Sequence, residues 1–169
     1  MNLRNILLSA IAISAVATAA SAQVSATGTA TTDARIIQPL SIASAGTLNF
    51  GTLTSPTAAS VVNLTTANAR TVSSGNTVLV GTTSTVPTFT VSGEGAATYT
   101  LSAADFSLAG PGGATVAVSP DLSITTGSLS GAAGAVGTQT FTVGGDLSLA
   151  ANQAIGAYTG TLSVTVAYN

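Results

Sequence analysis

Histidine, cysteine and lysine are absent from the sequence, and charged residues make up only 5% of it. Without histidine or cysteine there is no Ser-His-Asp or Cys-His pair and none of the usual zinc ligand sets. Without lysine there is no Schiff-base chemistry. No disulfide can form, so an oxidising compartment stabilises nothing here. Three arginines, Arg4, Arg35 and Arg70, make neither a basic patch for nucleic acid nor a polybasic anchor for anionic lipid. The five acids, Asp33, Glu94, Asp105, Asp121 and Asp146, are single and far apart. A hydrolytic carboxylate pair would have to be assembled from distant residues such as Asp105 and Asp121. No D-x-D run gathers oxygen ligands for calcium. Gly131 to Gly137 spaces glycines as phosphate loops do, but lacks the lysine and a following helix. These residues point away from an enzyme and require neither cofactor nor metal.

The chain begins as an exported one does. Arg4 supplies a positive start, Ile6 to Ala17 an apolar run, and Ala20-Ser21-Ala22 a small-residue cleavage site, so residues 1–22 read as a secretory signal. The apolar run falls short of the roughly 20 residues that span a bilayer, and no later stretch is longer, so no membrane anchor is expected. Cleavage before Gln23 would remove Arg4 and move the formal charge from −2 to −3. The remaining 147 residues (23 to 169) suit one domain with a full core. From residue 23 on there are 28 Thr and 17 Ser, so the surface is built from hydroxyls, which suit strands.

The last fourteen residues carry the clearest pattern. Tyr158, Leu162, Val164, Val166 and Tyr168 alternate with small polar residues, with Gly160 interrupting the row. Period-two alternation predicts a strand with one buried face. This strand is expected inside a sheet, with Leu162, Val164 and Val166 towards the core. Residues 23–36 alternate too: Val24, Ala26, Gly28, Ala30 and Thr32 share one face, with small side chains throughout. That spacing predicts a long strand. Between these ends, strands are predicted at Val61–Thr65, Thr77–Val80, Phe89–Val91, Thr98–Leu101, Thr115–Val118, Leu122–Thr125, Thr140–Val143 and Leu147–Leu149, separated by glycine-rich turns at 93–95, 110–113, 131–137 and 144–146. Short strands at this spacing predict an all-β sandwich or barrel.

Gly156 fourteen residues from the end, the alternating row and the penultimate Tyr168 together resemble the C-terminal signature of pilus (fimbrial) subunits assembled by the chaperone–usher route. The resemblance implies an immunoglobulin-like, pilin-like β-sandwich over residues 37–169, incomplete by itself and completed by a donor strand. It implies that Gly156, Tyr158, Leu162, Val164, Val166 and Tyr168 form the strand offered to a periplasmic chaperone and then to a like subunit. It also implies that residues 23–36, through Val24, Ala26, Gly28, Ala30 and Thr32, are the donor arm, and that an outer-membrane usher places the chain in a cell-surface fibre. The stretches Ile37-Gln-Pro-Leu-Ser-Ile, Leu48-Asn-Phe-Gly51 and Gly156-Ala-Tyr-Thr-Gly160 are also similar to an uncharacterised family of Thr- and Gly-rich exported proteobacterial domains. The leading expectation is a structural subunit polymerised by donor-strand exchange. The alternative is a self-contained exported sandwich that binds a glycan or protein at the cell surface, as an adhesin does.

Overall fold

The structure, a computed structural model, describes residues 25–169. The signal stretch and Val24 lie outside the described residues. The chain divides into two units at Ala34/Arg35.

In the first unit, residues 25–34 form no strand and every one of them is exposed. Over residues 25–36, the described part of the strand predicted at 23–36, no strand is formed, although the alternation is plain. A strand needs a neighbour to take its backbone N–H and C=O groups, and side-chain pattern alone supplies none.

The second unit is all-β and sandwich-like, a curled antiparallel sheet that makes a half-barrel. Its strands are β1 (Ser41–Ala45), β2 (Thr52–Leu53), β3 (Ser60–Leu64), β4 (Arg70–Ser74), β5 (Leu79–Val80), β6 (Thr88–Glu94), β7 (Thr98–Ala103), β8 (Phe106–Ala109), β9 (Thr115–Leu122), β10 (Thr126–Ser128), β11 (Val136–Leu149) and β12 (Val164–Tyr168). β11 is the axis. Its first half pairs with β6, and its second half is flanked by β3 and β9. A second sheet, β10-β7-β12, faces the β1-β6 side. A two-stranded ribbon, β2-β5, brings Leu53 and Leu79 onto the β3-β9 side.

Sequence predicted two strands where the structure has one. Gly144 and Gly145 read as a turn between Thr140–Val143 and Leu147–Leu149, yet β11 runs through both. A Cβ on Gly144 would strike the Leu64 carbonyl, and one on Gly145 would come within 2.6 Å of the Ser119 carbonyl. The glycines permit close backbone approach on both flanks instead of turning the chain. The predicted strand Leu122–Thr125 is also absent; Leu122 ends β9 and the next residues bend towards β10. β1, β2, β4, β8 and β10 were not anticipated.

Two apolar clusters fill the unit. One gathers Phe50, Val62, Leu64, Val116, Val118, Leu147 and Leu149. The other gathers Phe89, Val91, Tyr99, Leu101, Leu129, Phe141 and Val143, with Phe89 stacked on Phe141 at 5.3 Å between ring centres. Leu40 and Ile42 from the β1 side and Leu162, Val164, Val166 and Tyr168 from the C-terminal side pack on the second cluster while staying partly open.

Candidate functional site: an open seam between β1 and the C-terminal strand

The parity of the C-terminal row is as expected. Leu162, Val164, Val166 and Tyr168 are half-buried against the second cluster, and Ser163, Thr165 and Ala167 are exposed. Its place in the sheet differs from expectation. β12 pairs with β7 and with no second strand among the described residues, so it is an edge and not an interior strand. Regular pairing covers only Val164–Tyr168; upstream, a single bridge from Thr159 to Ala109 keeps the chain beside β8. Gly160 passes so close to Leu108 and the Ser107 carbonyl that a Cβ would come within 2.8 Å of each. Gly156 lies over the Pro111 ring.

β1 is the matching edge. It pairs with β6 alone among the described residues, from Ser41 opposite Ser92 to Ala45 opposite Thr88. β1 runs away from Glu94, and the C-terminal strand runs towards it. The two edges thus lie antiparallel across a seam, with no strand pairing between them.

The seam is closed at one end. The Tyr168 hydroxyl donates to the Gln38 carbonyl at 2.7 Å and accepts the Glu94 N–H at 2.7 Å. The Glu94 side chain ties the same corner. It is 6% exposed and accepts from Arg35 Nη2 at 2.6 Å, from the Gly134 N–H at 2.7 Å and, more weakly, from the Gln38 N–H at 3.4 Å. Arg35, which the sequence pattern places in the arm, is thus bonded into the sandwich unit. Exchanging Tyr168 for Phe should remove both hydroxyl bonds and cost about 1–3 kcal/mol, since the N–H of the buried Glu94 loses its partner. Denaturant unfolding reads the loss, and faster amide exchange at Glu94 locates it.

The Gly134 N–H and the Arg35 guanidinium hold the Glu94 carboxyl below its ordinary 4.5, against the opposing effect of desolvation. A depressed carboxyl contributes stability above its unfolded value and loses it as pH falls through the lower folded value. The melting midpoint should therefore hold down to about pH 4.5 and fall below it. Glu94→Gln should flatten that fall in a pH series of thermal melts.

Away from this corner the seam widens into two adjoining cavities of about 240 and 690 Å³. Residues 44–56 form one wall and residues 153–162 the other. Phe50, Phe89, Phe106, Leu108, Leu147 and Leu149 line the depths. The far end is tied again, by Ser55 Oγ donating to the Gln153 carbonyl and the Asn152 N–H donating to the Pro56 carbonyl. Gln153 Nε2 donates to the Tyr158 hydroxyl, which donates to the Ala154 carbonyl, so Tyr158 braces the wall instead of filling the cleft. The result is a trough with an apolar floor, walled by residues 44–56 and 153–162, which continues the seam between the unpaired edges of β1 and β12.

The structure therefore brings Gly156, Tyr158 and Leu162 to one wall of the trough and Val164, Val166 and Tyr168 to the same side of the seam beyond it. It leaves Ala26, Gly28, Ala30 and Thr32 exposed in the first unit, with open space around Gly28. The opposite border, from Leu40 through Phe50, and the Glu94 corner were not anticipated. Gly93-Glu94-Gly95 reads as a turn, and a lone acid between glycines gives no sign of three bonding partners. Among the described residues no three of Asp, Glu, His and Cys gather into a cation site.

A family model described as a domain of unknown function, DUF4402, matches residues 40–168. No curated protein and no solved structure matches the chain.

Proposed function

The chain belongs to the DUF4402 family, and on that premise and the open seam we propose that it is a structural subunit of an exported fibre, joined to the next copy by strand addition. The observation that carries the reading is the seam between two unpaired edges, β1 and the C-terminal strand, opening into a trough with an apolar floor. Two such edges carry free backbone donors and acceptors, and an inserted strand satisfies both while covering the apolar floor.

The chain itself contains a segment suited to that place. Residues 25–34 alternate, carry small side chains on one face and take no strand of their own. Ser25 to Ala34 would extend to about 33 Å, against about 23 Å for the free border from Gly156 to Leu162. Ala26, Gly28, Ala30 and Thr32 would point to the floor, with Ser25, Thr27, Thr29 and Thr31 outwards. The arm leaves its own unit at Arg35, at the closed corner, while the trough widens towards the opposite end. A contact between two different surfaces at opposite ends is head-to-tail, and it produces a filament when the rotation between copies does not close into a ring. The same border could first be covered by a periplasmic chaperone during export, with an outer-membrane usher exchanging it for the arm.

The test is a synthetic peptide of residues 23–36 added to the full chain. Saturating peptide should raise the melting midpoint by about 8 °C, the effect of a ligand at a hundredfold its Kd on a domain of this size. A Gly28→Leu peptide should not, because the added side chain overfills the closest approach. Equal shifts from both peptides, or none from either, would refute the reading. Binding of a glycan at the trough with no peptide effect would favour the adhesin-like alternative.

A further inference from the structure

Among the described residues the two most exposed large apolar side chains are Ile36, at 97%, and Ile155, at 84%. Single exposed apolar residues are ordinary on a protein surface. These two differ in how they are held. Ile36 and Ile37 sit between Arg35, whose guanidinium is bonded to the Glu94 carboxylate, and Gln38, whose backbone N–H is, so the chain is tied on each side of an exposed Ile36. Ile155 stands between Gln153 and Gly156. The Gln153 carbonyl accepts from Ser55, its side chain bonds Tyr158, and Gly156 rests on Pro111, so this isoleucine too is presented by a tied loop.

Their positions are complementary. Ile36 marks the root of the arm, at the end of the seam closed by Tyr168. Ile155 stands on the wall of the larger cavity, at the other end. An arm seated from the wide end runs antiparallel to the C-terminal strand, and its root then stops beside the 153–156 loop of the acceptor.

We propose that Ile36 of one copy packs against Ile155 of the next, a second contact outside the trough that sets the angle between successive copies. This rests on the strand-addition reading given above. The contact removes from water the two most exposed large apolar side chains among the described residues, and it lies beside the tied 153–156 loop, where the arm's exit would otherwise swing freely.

The absence of cysteine allows a direct test. The full chain carrying both Ile36→Cys and Ile155→Cys is compared with each single variant and the parent, after treatment with a short bis-maleimide and separation under denaturing conditions. The double variant should give a regular ladder of multimers, while each single variant stops at dimers. In a second arm, Ile155→Asp should slow polymerisation about tenfold, since a carboxylate would be set against an isoleucine. Ile36→Arg added to the same chain should restore the rate. Polymers visible by electron microscopy that yield no ladder and show no charge rescue would overturn the contact and leave strand addition standing. A parent chain that neither polymerises nor binds the 23–36 peptide would remove strand addition, and this contact with it.

Discussion

Deleting residues 23–32 should leave a folded sandwich unit that forms no fibre. Every described residue of that stretch is exposed and none is in a strand, so its removal takes away no packing and no backbone pairing seen in the chain. The fold from Arg35 onwards keeps both apolar clusters and the Glu94 corner. Circular dichroism and the denaturant midpoint should match the parent within error. Electron microscopy of the two preparations should nevertheless differ completely. The expected loss is total because, under the strand-addition proposal, the arm fills the trough of the next copy at every junction. Adding back the 23–36 peptide should raise the stability of the deleted chain without restoring fibres, since a free peptide caps a trough and links nothing. Normal fibres from the deletion would end the donor-arm reading. A deletion that fails to fold would show that the arm completes its own sandwich.

The largest effect on folding itself is expected at Tyr99. Its side chain is fully buried in the second cluster, and it stands opposite Tyr168 in the β7–β12 register. Its hydroxyl donates to Gln139 Oε1 at 2.8 Å, and the ring lies so close to Gly127 that a Cβ there would meet it within 2.7 Å. Tyr99→Ala removes the ring, leaves a cavity between the two sheets and strands a polar partner; large aromatic truncations cost about 3–5 kcal/mol. Against a total of roughly 5–15 kcal/mol for an ordinary domain, that is a large share. Tyr99→Phe keeps the volume and loses one hydrogen bond, so it should cost about 1 kcal/mol. Urea titrations of the three proteins read both differences. If the Ala and Phe variants were equally stable, the ring would not be packed between the sheets as described.

The C-terminal row was legible because its facing depends only on parity, and parity is written in residues 158–168. Its position at an edge was not legible, because pairing depends on what other strands do and on Tyr168 reaching Gln38 and Glu94 across a large separation in sequence. β1 escaped notice for a related reason. Ser41–Ala45 offers one large apolar side chain, Ile42, and becomes a strand through its pairing with β6. The arm shows the converse, a pattern without a partner. At Gly144 and Gly145 the same residue type that marks turns elsewhere serves close approach within a strand, and composition alone does not separate the two uses. The acceptor wall from Thr47 to Pro56 is defined by the space it borders, which no local pattern encodes.

The arginines have a consequence for proteolysis. From residue 25 on, only Arg35 and Arg70 offer a bond to an enzyme that cuts after basic side chains. The Arg70 guanidinium is held by the carbonyls of Phe50, Gly81 and Thr83, and its backbone lies in β4, paired with β3. Arg35 is 64% exposed at the boundary of the two units. Trypsin should therefore act on this protein as a single-cut tool, releasing the arm at the Arg35–Ile36 bond and sparing the sandwich. In a fibre the same bond would lie at the junction between copies, so its rate of cleavage reports whether that junction is occupied.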